Sequence, residues 1–222
     1  ELQFGRHNFV YEADIKGFFE NIRWDRLEEM LEQRIADGAL RNLIGKWLRA
    51  GILEEDGRVV HPQTGTPQGG IISPLLANLT LDGMEQAIRS RIRLRRDQVN
   101  FIRYADDFIV TARTKETLEQ IVKPAVVAFL ASRGLELSEQ KTTLTHIETG
   151  FNFLGQNVRK YKNKLVIKPA KDGTKALLQK THECIKGMVG QTAGTLIRKL
   201  NPIVQRHIKV RGEANPYDPR YT

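Results

Sequence analysis

Phe101-Ile102-Arg103-Tyr104-Ala105-Asp106-Asp107-Phe108-Ile109-Val110 is two short apolar runs broken by a pair of adjacent acids. Short runs rich in Phe, Ile, Val and Tyr read as strands, so the stretch as far as Ala112 predicts a tight hairpin with Asp106 and Asp107 at its turn. Adjacent carboxylates repel, and burying one without a partner is costly. Such a pair either faces water as a polar turn or meets a divalent cation, and magnesium takes carboxylate oxygens while keeping positions open for substrate phosphates. A third acid, Asp14, closes the strand-like alternation of Asn8–Asp14 and by itself reads first as a helix cap.

Outward from these acids, Ile22, Leu27, Met30, Leu31 and Ile35 lie at helical spacing and predict one helix from Phe18 to Ile35. A second amphipathic helix is expected over Leu40–Leu53, followed by a loop across 54–70 with Arg58–His61 as one arm of a hairpin. Ser73-Pro74 opens another helix, the serine as cap and the proline at the first helical position. Thr114–Arg133 reads as a helix stopped by Gly134, residues 135–168 as short strands, and Lys175–Met188 and Thr195–Val204 as helices with basic faces. Trp24 and Trp47 fall at helical positions among apolar neighbours and are expected in the core, and the five histidines have no metal spacing. Strands and helices interleave without a regular βαβ rhythm, which makes the fold class α+β.

The chain of 222 residues is one large domain or two small ones. A single cysteine, Cys184, excludes a disulfide framework and a Cys-based zinc site and suits a reducing compartment. No apolar run reaches the ~18 residues of a membrane span. The first residues lack the layout of a signal peptide, and with a start other than Met the true N-terminus is expected elsewhere. Charge is lopsided: residues 1–150 carry 20 Lys and Arg against 22 Asp and Glu, whereas 151–222 carry 15 against 4. A basic field of that kind recruits polyanions, nucleic acid above all.

The YADD of the hairpin resembles the YxDD motif of reverse transcriptases, and four further blocks stand in that family's order. Asp14-Ile15-Lys16-Gly17-Phe18-Phe19 resembles the first metal-binding motif, and Gly65-Thr66-Pro67-Gln68-Gly69-Gly70 the PQG block. Leu137-Ser138-Glu139-Gln140-Lys141-Thr142 and Phe151-Asn152-Phe153-Leu154-Gly155 resemble the two blocks after the hairpin. The flavour is that of bacterial group II intron-encoded reverse transcriptases, the maturases. It implies a polymerase palm with an antiparallel sheet packed on helices, with partial fingers and thumb. Residues 1–160 would be the palm with a remnant of the fingers, and 161–205 a basic connection leading into the thumb. Residues 206–222 resemble a stretch near the HNH region of longer relatives, as though a segment near Gln205 were deleted.

The resemblance also implies roles. Asp14, Asp106 and Asp107, with the Ile15 carbonyl, would hold two magnesium ions, manganese substituting. Gly17 and Phe18 would meet the triphosphate through their backbone, with Gln68 and Gly69 at the incoming nucleotide. Phe19 would exclude a 2′-hydroxyl, and either Phe18 or Phe19 is expected in the core. Lys141 would protonate the leaving pyrophosphate or else be a surface lysine. Arg159, Lys160, Lys162, Lys164, Arg198 and Lys199 would grip RNA. The partners implied are intron RNA template, DNA primer and deoxynucleoside triphosphates, in the bacterial cytoplasm, with no membrane. The competing readings are a non-catalytic RNA-binding splicing factor and a related reverse transcriptase of phage defence or CRISPR adaptation.

Overall fold

Strand β1 (Phe9–Ala13) is the middle of the molecule's main sheet, and both of its neighbours come from far downstream. β4 (Val99–Tyr104) and β5 (Asp107–Ala112) form the expected hairpin, β5 pairs antiparallel with β1, and β6 (Thr143–His146) lies on β1's other edge. The order is β4-β5-β1-β6, all antiparallel. The computed structural model describes Leu2 and residues 7–53, 57–67, 70–94, 97–162 and 164–212. Gln68, Gly69, Arg95, Arg96 and residues 213–222 lie outside the described residues.

Side chains alternate across a strand, so Tyr11 and Ala13 of β1 and Phe108, Val110 and Ala112 of β5 share one face. That face is buried against helices α2 (Trp24–Arg34), α3 (Gly38–Arg49), α4 (Ser73–Thr80), α5 (Met84–Arg89) and α7 (Lys123–Ala131). Leu27, Leu31, Ile44, Leu48, Leu76, Met84, Ile88 and Val126 complete the core, each contributing about 1.5–3 kcal/mol of burial. Glu12 and Asp107 alternate onto the other face.

Several sequence expectations are corrected. The single helix over Phe18–Ile35 is two, α1 (Phe18–Asn21) and α2, because Ile22 and Arg23 are extended. This break lets Ile22 bury completely while its carbonyl accepts from Gly65 N–H at 2.7 Å. α3 starts earlier and ends at Arg49, its first N–H groups held by Asp37, whose side chain accepts from Ala39 and Leu40. Ile52–Leu53 leave the helix to pair as β2 with β3 (Val59–Val60), which retains the hairpin arm. Trp47 is not core but half-exposed on the outer side of α3, and Trp24 is half-buried. Ser73 is not the cap of α4, a place taken by Ile72; its buried hydroxyl donates to the Pro67 carbonyl at 2.8 Å. Asp107 is not in the turn but opens β5, leaving Ala105 and Asp106 to make the reversal.

The helix expected over Thr114–Arg133 is present, capped by Thr114, which accepts from Thr117 N–H, and closed at Gly134 where Leu135 N–H reaches back to Leu130. It runs as α6 (Lys115–Thr117), a wider π-helical stretch Leu118–Val122, then α7. Pro124 supplies no N–H, and the wider turn before it absorbs the missing bond.

The chain divides into two compact units, Glu1–Phe151 with Lys160–Leu165, and Asn152–Arg159 with Val166–Thr222. The strands β7 (Phe151–Phe153), β8 (Gln156–Tyr161) and β9 (Lys164–Pro169) form a three-stranded sheet in chain order. α8 (Lys171–Lys186) and α9 (Ala193–Gly212), both longer than the sequence pattern suggests, pack on each other in the second unit. Among the described residues, no helix is long and apolar enough to cross a membrane.

Candidate active site

The β1–β5 register decides where the acids meet. Ala13 stands opposite Phe108, so one step further Asp14 stands level with Asp107. Tyr104 is opposite Asp107 in the hairpin, and Asp106 sits in the two-residue turn between them. Asp14 and Asp107 therefore share the sheet face turned away from the helices, together with Glu12.

Electrostatics record the crowding. Burial first, then the charges of Asp106 and Asp14, push the Asp107 carboxyl above its ordinary range, and Lys141 pulls it back. Burial and Asp107 likewise raise the Glu12 carboxyl. Nearby like charges disfavour the ionised form of Asp107 and Glu12, and nearby positive charge offsets them. Lys141 supplies some, its Nζ lying 3.1 Å from Asp14 Oδ2. The donor set, carboxylate oxygens alone, fits a hard divalent cation. Among the described residues, however, no three His, Cys, Asp or Glu side chains close on one point as a finished ligand shell.

The backbone around Asp14 is fixed by the segment that carries Lys141. Ser138 N–H donates to the Asp14 carbonyl at 2.8 Å and Lys16 N–H to Glu136 at 2.9 Å, flanking an Ile15–Leu137 bridge. These bonds use the groups of Asp14 and Lys16 and leave Ile15's own carbonyl outside the bridge. Gly17 then turns the chain into α1 with φ +50°, a conformation other residues adopt at a cost. A Cβ at Gly17 would press on Asn21 Nδ2, which donates to the Lys16 carbonyl at 3.0 Å.

Of the two phenylalanines, Phe18 is the core residue, 3% exposed, so only its backbone is open to a ligand. Phe19 is partly buried, its ring edge-on to Phe18 with centroids 5.3 Å apart. Its carbonyl accepts from Thr66 N–H at 2.7 Å, which ties the Pro67 loop to α1. Arg159 on β8 is half-buried, Lys162 and Lys164 are exposed around the β8–β9 turn, and Arg198 and Lys199 are exposed on α9. Lys160, Lys162 and Lys164 belong to the first unit, and Arg159, Arg198 and Lys199 to the second.

Two supports of the site escaped the sequence reading. Arg103 Nη1 donates at 2.9 Å both to Asn78 Oδ1 on α4 and to the carbonyl of Ala105, which holds a positive φ of 54° in the acid-bearing turn. The signal was parity: Arg103 shares a face with Phe101 and Phe108, an odd place for a cation unless it has partners. The second is Gly65, whose N–H donates to Ile22 and whose carbonyl accepts from Trp24 Nε1 at 2.6 Å. A Cβ there would stand 2.7 Å from the carbonyl oxygens of both Phe19 and Glu20, and φ is +86°. Backbone cannot yield as a side-chain tip can. Gly65→Ala is expected to lower unfolding free energy by about 2–4 kcal/mol, read by denaturant titration. A loss below about 0.5 kcal/mol would mean that the loop is not pinned to α1.

Residues 3–158 match the family model for reverse transcriptase (RNA-dependent DNA polymerase). Protein YkfC of Escherichia coli K12 is 29% identical over 181 residues, covering 69% of this chain and 47% of that protein. The group II intron-encoded protein LtrA of Lactococcus lactis is 29% identical over 215 residues, covering 71% of this chain and 36% of LtrA. The chain thus spans between about a third and a half of these relatives' length. Apo telomerase of Candida tropicalis, truncated from its C-terminal domain, superposes with a TM-score of 0.59 at 16% identity over 74% of this chain and 36% of that one. That likeness is one of fold.

Proposed function

The chain belongs to the reverse transcriptase family, and from that premise we propose that it is the palm of an RNA-directed DNA polymerase of the group II intron type, acting in the bacterial cytoplasm. The carrying observation is the register that sets Asp14 level with Asp107 beside Asp106. Asp14, Asp106 and Asp107, with the Ile15 carbonyl, are the residues to hold divalent cations. Two magnesium ions, or manganese, bound there would supply activation of the primer 3′-hydroxyl and charge stabilisation for the departing pyrophosphate.

The remaining work belongs to the chain's own groups. The backbone at Gly17 and Phe18 opens α1 where a triphosphate must pass, and the absence of a side chain at Gly17 allows close approach. The Pro67 segment is held to α1 through Thr66 and to α4 through Ser73, and Gln68 and Gly69, which follow it in sequence, are the residues to meet the incoming nucleotide. Phe19 lines the sugar. Lys141 donates a proton to the leaving pyrophosphate once it quits Asp14. Arg159, Lys160, Lys162, Lys164, Arg198 and Lys199 take RNA phosphates.

The test is extension of a DNA primer on an RNA template with deoxynucleoside triphosphates and magnesium, alongside binding of structured RNA. Template-dependent extension abolished by chelator supports the polymerase. Tight RNA binding without extension at any magnesium concentration turns the reading toward the splicing factor that the basic last third favours. In either case RNA affinity is expected to fall about a thousandfold between 50 and 200 mM salt, as for roughly six phosphate contacts. A salt-independent affinity would remove the basic residues from the interface.

A further inference from the structure

Lys141 is mostly exposed, and an exposed lysine ordinarily wanders, its ion pairs contributing little. This one is tethered. Its own N–H donates to the Ser138 carbonyl at 3.1 Å, Thr142 Oγ1 donates to the same carbonyl at 2.7 Å, and Ser138 N–H is bonded to the carbonyl of Asp14. The turn that carries the ammonium is thus hydrogen-bonded to the very residue whose carboxylate it meets, and the 3.1 Å contact is held at high effective concentration. The field of Lys141 also reaches Asp107, where it opposes Asp106 and Asp14.

We propose that Lys141 is the resident counterion of the acid cluster and competes directly with a divalent cation for the Asp14 carboxylate. The inference rests on the proposed cation role of these acids and adds an antagonist to it. An ammonium 3.1 Å from Asp14 Oδ2 occupies the approach that a cation to that oxygen needs, and like charges repel, so the two states exclude each other. Exclusion is reciprocal: whatever factor Lys141 takes from cation affinity, the cation takes from the Lys141–Asp14 pair. The lysine would then leave Asp14 only in a cation-loaded site, which confines its freedom to the loaded state.

The experiment is Mn2+ binding to the full chain, without nucleic acid, read by the free-ion electron paramagnetic resonance signal. Lys141→Met is expected to bind Mn2+ about tenfold more tightly than the parent, and Lys141→Arg no more tightly. In an Asp14→Asn background the gain from Lys141→Met should disappear, because the contested oxygen is gone. Thermal midpoints check that each variant folds, as befits a mostly exposed side chain. If the parent binds Mn2+ and Lys141→Met binds it no better, the competition is overturned and the cation role of the acids stands. A tenfold gain that survives in Asp14→Asn overturns it too, as a diffuse field effect. If neither parent nor Lys141→Met binds Mn2+ at millimolar concentration, both the competition and the cation role fall.

Discussion

Replacing Asp106 by Asn is expected to cut RNA-templated primer extension by about a thousandfold while the thermal midpoint stays level or rises. The two halves have one cause. Asp106 adds negative charge where Asp14 and Asp107 already repel, and it is one of the two charges holding the Asp107 carboxyl up. Asn keeps the size and hydrogen-bonding capacity of the side chain but removes that charge, so the folded state loses a repulsion. The proposed chemistry would lose an oxygen anion that holds a cation, and about 4 kcal/mol of transition-state stabilisation corresponds to about a thousandfold in rate. Loss of activity together with a fallen midpoint would instead mark a disrupted turn. Undiminished extension would remove Asp106 from the site.

The second large effect concerns the sugar. Phe19→Val is expected to raise ribonucleotide incorporation relative to deoxynucleotide on the order of 100-fold, with a smaller change in deoxynucleotide rate. Phe18 fills the core under it, and Thr66 anchors its carbonyl, so the ring has a fixed floor and a fixed root. In the proposed role, a ring so held would exclude a 2′-hydroxyl by contact and offer it no acceptor. The measurement is single-nucleotide addition of matched ribo- and deoxynucleotides. Unchanged discrimination would reduce Phe19 to packing, and Phe18 could not take over because its side chain is buried.

Much of this is legible in the sequence alone. The hairpin followed from β-rich runs around an acid pair, and the helix after it from Thr114 and Gly134, because both depend on local chemistry. The break at Ile22-Arg23 was not readable: apolar spacing runs straight through it, and the cause is a bond from Gly65, some forty residues on. Trp47 failed for the reason that helical spacing fixes a face but not whether anything covers it. At the candidate site, the acids stand out in apolar strands, but only the resemblance of the surrounding motifs singles them out over a polar turn and a helix cap. The Lys141–Asp14 pair and the Arg103 bridge depend on contacts between distant segments, which one sequence does not encode by spacing.

The central place of β1 governs the order in which the protein can be made. Its partners lie at 107–112 and 143–146, so the strand leaves the ribosome with neither edge covered. At roughly 5–20 residues per second, the hundred or so residues up to β5 take on the order of 5–20 s. Throughout that interval Phe9, Val10 and Tyr11 are an unpaired apolar segment, and the acid cluster exists only as Asp14. Helices α2 to α5, packed beneath the sheet, are complete earlier, but most of their apolar faces have no sheet to cover, and α7 follows only after β5. Contacts this distant in sequence form slowly. During synthesis, then, the nascent chain depends on shelter for the strand that later anchors its chemistry.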